Sequence, residues 1–191
     1  LADKGSLKED FESLGIPVTL YQADLRDPDQ VEGVFDQVSK STEPLRVLVN
    51  SASIMPRGNL KSMGVDAWDA TLDLNLRAPW LCARAAGRLM EAAGGVIINV
   101  SDSGAGKTWT GFPAYTISKA GLEVLTRLLA RTLAPNIRVN AVAPGLILPS
   151  ADTPEEDWQR LVKRLPAQQA GTPQDIVQAI YFLIENKYVT G

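Results

Sequence analysis

Tyr115 and Lys119 stand four positions apart in the stretch Tyr115-Thr116-Ile117-Ser118-Lys119. On a helix, residues at i and i+4 lie on one face about 6 Å apart, so the Lys119 ammonium can sit near the Tyr115 phenol. A nearby cation favours the phenolate, which makes a tyrosine usable as an acid or base. For work near neutrality the phenol must fall roughly 2 to 3 units from its ordinary value, about 3 to 4 kcal/mol of differential stabilisation. The chain contains no histidine, which removes Ser-His-Asp triads, Cys-His dyads, His-ligated zinc and every imidazole base. Proton transfer therefore falls to Tyr, Lys, Asp or Glu. Taken alone, a Tyr-x-x-x-Lys pair is also the pattern of two exposed helix residues, and its surroundings decide between the two.

Those surroundings alternate between short β-branched runs and longer helical patterns. Val18 to Ala23, Val47 to Asn50, Val96 to Val100 and Ile137 to Val142 read as strands. Pro28 to Lys40, Asp66 to Ala93 and Ala114 to Leu133 carry apolar residues at three- and four-residue spacing, the helical period. The alternation predicts an α/β fold with a doubly wound parallel sheet. Leu45 to Val49 and Val96 to Ile98 are almost wholly apolar, as central strands covered on both faces should be. Asp27-Pro28 and Thr172-Pro173 with Asp175 are helix starts, the second opening Gln174 to Glu185. Ser6 to Leu14 also reads as a helix, Gly94-Gly95 closes the long helical region, and Pro79 divides or offsets that region near its start.

The 191 residues are 45% apolar and 21% charged, with 15 Gly and 12 Pro, the make-up of a single soluble domain spanning 1–191. A net charge of −3 speaks against a nucleic-acid partner. The lone Cys82 can form neither an internal disulfide nor a Cys-rich metal site, so no metal is expected and a reducing compartment fits. No apolar run reaches the roughly 18 to 20 residues of a membrane span, and Leu1 to Gly5 lacks the apolar core of a signal peptide. The expectation is a cytoplasmic protein with no membrane partner. Ala143 to Asp157, with Pro144, Pro149 and Pro154, is the longest loop-like stretch, and residues 143–170 form a candidate substrate lid.

With these elements in place the chain resembles the short-chain dehydrogenases/reductases over nearly its whole length. Tyr115-x-x-x-Lys119 follows the strand Val96 to Ser101 and opens a helix, as that family's catalytic pair does. Asn50-Ser51-Ala52 is similar to the family's Asn-Asn-Ala-Gly stretch beside the adenosine, and Asp24-Leu25 to its adenine-contacting Asp. Asn75 stands where the family keeps an Asn that holds a water in its proton relay, and Pro144-Gly145 resembles the turn near the nicotinamide. The resemblance implies a Rossmann-like three-layer α/β/α domain and a nicotinamide cofactor held by these residues together with Ser53, Tyr115 and Lys119. It also implies that a cationic nicotinamide ring helps Lys119 to lower the phenol. No Gly-x-x-x-Gly-x-Gly or Gly-x-Gly-x-x-Gly phosphate loop occurs, and Tyr188 to Gly191 stops where the family continues into a last strand. The chain therefore reads as truncated at both ends.

One position departs from the family. Thirteen residues before the tyrosine most members carry a Ser, and here stands Asp102, flanked by Ser101 and Ser103. Either Asp102 is a turn residue and a neighbouring Ser does the work, or Asp102 itself faces the site. An Asp-Tyr-Lys trio at this spacing resembles the pteridine reductases and dihydromonapterin reductases, as do Ala120 to Thr126 and Val142 to Leu146. That subgroup implies NADPH, a pterin-like small-molecule substrate, and Met55, Trp109, Phe112 and Leu146 as substrate contacts, although Met55 replaces an aromatic ring. The chemistry is sensible: a pterin presents amino and ring N–H groups that a carboxylate accepts. An ionised Asp102 opposes the Tyr115 phenolate, so the two should titrate as a unit. Trp158 falls on the expected lid helix Glu155 to Leu165, while Trp68 and Trp80 read as packing or subunit contacts. The resemblance implies a homotetramer built on the two long helical regions. Competing readings are a reductase of ketones, sugars or 3-oxoacyl thioesters, and a non-catalytic dinucleotide sensor.

Overall fold

The computed structural model describes residues 4–150 and 153–191, with side chains from Lys8 onward. Leu1 to Asp3, and Ala151 and Asp152 of the expected lid, lie outside the described residues. In chain order the elements are α1 (Lys4–Ser13), α2 (Pro28–Val38), β1 (Val47–Asn50), α3 (Val65–Leu72), α4 (Ala78–Met90), β2 (Gly95–Val100), α5 (Pro113–Thr132), β3 (Ile137–Val142), α6 (Glu155–Val162) and α7 (Pro173–Glu185). The three strands form a parallel sheet in the order β1-β2-β3, with Asn50 opposite Asn99 and Val100 opposite Val142.

Strand alternation sends β3 to two different helical layers. Ile137 and Val139 join Ile97, Leu81, Ala85 and Met90 in the main core under α4 and α5. Arg138 faces the other way, donating to the Leu183 and Ile184 carbonyls at the end of α7 and to that of Val189. An arginine thus satisfies carbonyls that the last helical turn leaves without donors. Each fully buried aliphatic side chain in the core contributes about 1.5 to 3 kcal/mol, and α2 adds Val31 and Phe35 to it.

The helix starts follow their sequence signals. The Asp27 carboxylate accepts from the Asp29 and Gln30 N–H groups, and Thr172 and Asp175 form a reciprocal capping box. At the other end of α4, Gly94 adopts φ +71° and gives its N–H to the Met90 carbonyl. Beside it Gly95 has no room for a side chain, since a Cβ would meet the Met90 sulfur at 2.7 Å.

One expectation needs correction and another is narrowed. Val18 to Ala23 is not a strand: no ladder pairing is recorded for it, and a strand exists only with a partner. Among the described residues β1 is therefore an edge, with Val49 40% exposed, and only β2 is flanked on both sides. Of the two readings of Pro79, division and offset, the offset holds. The chain stays helical through a π turn at Asp73–Arg77, where the Ala78 N–H reaches the Asp73 carbonyl five residues back. Pro79 has no N–H for the carbonyl of Asn75, and the π turn takes up that mismatch within a continuous helix.

Candidate active site

The carboxyl ends of the three parallel strands open on the same side, which is where open α/β sheets bind ligands. β2 ends at Val100, and the chain turns through Ser101 to Gly104 before a loop leads to α5. Pro113 occupies the first turn of α5, so Tyr115 falls one turn from its start and Lys119 one turn further on the same face. Both are buried, at 8% and 4% exposure. The Lys119 ammonium donates to the Val100 carbonyl at 2.8 Å and lies 5.7 Å from the centre of the Tyr115 ring.

Asp102 engages the tyrosine directly. The Tyr115 hydroxyl donates to Asp102 Oδ2 at 2.7 Å, while Asp102 Oδ1 accepts the Gly104 N–H at 2.6 Å. One oxygen thus caps a turn while the other meets the phenol, so Asp102 serves the turn and faces the site as well. Its neighbours turn elsewhere. Ser101 donates to Glu123 Oε1 at 3.3 Å, and Ser103 is exposed, its N–H given to the Pro144 carbonyl at 2.9 Å. Glycine is required at 104, because a Cβ there would meet the Trp109 ring at 2.5 Å and Asp102 Oδ1 at 2.9 Å.

The phenol follows the opposition expected of Asp102 rather than the lowering expected of Lys119. Burial, then the hydrogen bond and the charge of Asp102, hold the Tyr115 phenol well above the ordinary tyrosine range. Lys119 lies over the ring rather than at the oxygen and does not reverse this. Burial lowers Lys119 itself, with the charge of Asp102 opposing.

Asn75 sits fully buried in the π turn. Its Oδ1 accepts the Ile54 N–H at 2.9 Å, and its Nδ2 donates to the Ile54 carbonyl at 2.8 Å and to Ser118 Oγ at 3.1 Å. Ser118 donates in turn to the Tyr115 carbonyl at 2.7 Å. The amide thereby clasps the loop after β1 to α5. Ser118 escaped the sequence reading, although it lies one turn after Tyr115 on the buried face.

The remaining sequence candidates take varied places. Asn50 donates to Asn99 Oδ1 at 2.9 Å within the sheet, and Ser51, Ala52, Ser53 and Met55 are exposed beyond β1. Asp24 is gripped by Arg26, its carboxyl held down at about 2 by that guanidinium, and Leu25 packs its side chain against the core. Trp109 and Phe112 are half-buried on the loop before α5. Pro144 is half-buried, Gly145 is exposed, and the Leu146 carbonyl accepts the Gly171 N–H at 2.9 Å, closing the base of the segment that carries α6. Trp158 is half-buried on α6.

A nicotinamide dinucleotide suits this donor set. The buried Lys119 ammonium has three N–H donors and gives one to Val100, so two remain for sugar hydroxyls, and Ile54 and Met55 expose apolar surface at the same strand ends.

The family model described as Enoyl-(Acyl carrier protein) reductase matches residues 2–191. The (2S)-[(R)-hydroxy(phenyl)methyl]succinyl-CoA dehydrogenase subunit BbsD of Thauera aromatica is 35% identical, covering 96% of this chain and 76% of its own length. The 3-oxoacyl-[acyl-carrier-protein] reductase FabG of Thermotoga maritima is 34% identical, over 97% of this chain and 78% of its own. Among solved structures, the FolM alternative dihydrofolate reductase 1 of Brucella canis, complexed with NADP, matches with a TM-score of 0.90. Its identity is 33%, covering 97% of this chain and 74% of its own.

Proposed function

The chain belongs to the short-chain dehydrogenase/reductase family, and from that premise we propose that it reduces a pterin-like ring with NADPH, Tyr115 giving the proton. The observation that carries this reading is the 2.7 Å bond between Tyr115 and Asp102, a carboxylate where most of the family has an alcohol. The likeness to an NADP complex of an alternative dihydrofolate reductase supports it. When bound, NADPH supplies the hydride, which goes to the carbon of a C=N bond. Tyr115, kept protonated by burial and by Asp102, donates its proton to the ring nitrogen. Lys119 holds sugar hydroxyls with the donors that Val100 leaves free. Asp102 accepts from the ring's amino and N–H groups, contacts that a ketone does not offer. Both Nδ2 hydrogens of Asn75 are engaged in its clasp, so a water it holds donates to an oxygen: Oδ1, which accepts one bond, or the main-chain carbonyl, to which Pro79 cannot donate. Trp109, Phe112, Met55 and Leu146 line the substrate side, and residues 143–170 cover it as a lid. We also propose residence in the cytoplasm, read by cell fractionation, and assembly as a homotetramer.

A second reading, reduction of ketones or 3-oxoacyl thioesters, draws support from the thioester-linked names of two relatives. Steady-state NADPH oxidation separates them. The pterin reading expects dihydrobiopterin or dihydrofolate to exceed simple ketones in kcat/KM by about 100-fold. The opposite order would establish the second reading.

A further inference from the structure

Arg57 lies in the loop after β1 with its guanidinium over the Phe112 ring, 5.1 Å from the ring centre. The loops carrying the two residues are joined main chain to main chain, the Gly58 N–H donating to the Gly111 carbonyl at 3.0 Å. The Arg57 loop is also fixed at its start, where Asn75 bonds both main-chain groups of Ile54. A cation is therefore held on a fixed wall of the candidate site, three residues in sequence from Tyr115 through Phe112.

Its charge is unanswered. Arg26, Arg77, Arg84, Arg88 and Arg160 all meet carboxylates. Arg57 is exposed and, among the described residues, has no such partner. Residues 51–64 and 101–112 hold Arg57, Lys61 and Lys107 against one acid, Asp102, whose two oxygens meet the Gly104 N–H and the Tyr115 hydroxyl, in a chain whose net charge is −3. A local excess of one sign against the whole-molecule charge draws ligands of the opposite sign. The guanidinium over the Phe112 ring donates to no other group among the described residues, so its N–H donors stay free for a two-point grip on a carboxylate.

We propose that Arg57 is a specificity-determining residue that grips a carboxylate borne by the substrate away from the atom that is reduced. The substrate class is a reducible compound with a carboxylate arm. The proposal deepens the reading above and rests on it for the location of the site.

The test compares matched pairs that differ only in charge: dihydrofolate against its dimethyl ester, and 4-acetylbenzoate against its methyl ester. Each is assayed with the full chain as wild type, Arg57→Met and Arg57→Lys. The wild type is expected to favour the anionic member by about tenfold in kcat/KM, through KM, as a charge-assisted hydrogen-bonded pair provides. That preference should shrink with added salt, vanish in Arg57→Met and survive in part in Arg57→Lys. Preference within the ketone pair while both pterins stay inert would sink the pterin reading and leave Arg57's role standing. A ratio that Arg57→Met leaves untouched overturns the proposal. So does a rise in the KM for NADPH in its place, which would move Arg57 to the cofactor. Where dihydrofolate is turned over, calorimetric titration of folate and its dimethyl ester gives the same comparison without turnover, and equal affinities for the wild type would likewise overturn it.

Discussion

Asp102 divides one carboxylate between two tasks, and that division explains the state of the tyrosine. With Oδ1 fixed by the Gly104 N–H, Oδ2 is held at the phenol. Forming a phenolate there places two negative charges side by side in a buried place, so the phenol keeps its proton. The folded pKa lies above the unfolded value of 10, so Tyr115 contributes stability that is fully present below pH 10 and is lost as pH rises through the folded value. An ultraviolet tyrosinate titration of the cofactor-free protein, taken as the difference from Tyr115→Phe, should show this phenol ionising above pH 10. In Asp102→Asn the midpoint should move down, since the charge is gone while burial remains. Ionisation of the wild-type phenol near neutrality would contradict the account. The trio Asp102, Tyr115 and Lys119 was legible because helical period and motif spacing are properties of sequence. The opposition of Asp102 to the phenolate was legible too, but its balance against Lys119 was not, because that depends on burial and on which atom the ammonium reaches.

At the scale of elements, local signals held where the cause was local. Asp27 and Thr172 cap the helices they precede, and Asp175 in the first turn of α7 completes the second cap. They failed where a distant partner decides, as at Val18 to Ala23, whose β-branched run has no described strand to pair with. The π turn was hidden for a different reason: Pro79 announces a mismatch in the helix but not which way the helix resolves it. α5 also leaves a face uncovered. Ile117, Val124 and Leu128 are 46%, 50% and 57% exposed at helical spacing, and Trp80 on α4 is 42% exposed. Exposed apolar stripes of this kind are covered by partners. Sedimentation velocity should therefore find a tetramer, and Val124→Glu should shift it to smaller species. A wild-type chain that stays monomeric at every concentration would refute the homotetramer.

The whole molecule brings these pieces together by topology. Parallel strands place all their carboxyl ends on one side, so the loops after β1, β2 and β3 converge there although the strands end at Asn50, Val100 and Val142. Asn75 ties the first of these loops to α5, and the Ser103 N–H ties the second to Pro144 in the third. Arg57 stood outside the motifs that led the sequence reading, because its place over Phe112 arises only when two loops meet. The central claim is that the carboxylate at position 102 directs the tyrosine's proton to a pterin-like ring. It is tested most directly by NADPH oxidation with Asp102→Ser. The account predicts that pterin turnover falls about 100-fold while ketone turnover holds or rises. Pterin turnover that survives the substitution would contradict it and reduce Asp102 to the cap of its turn.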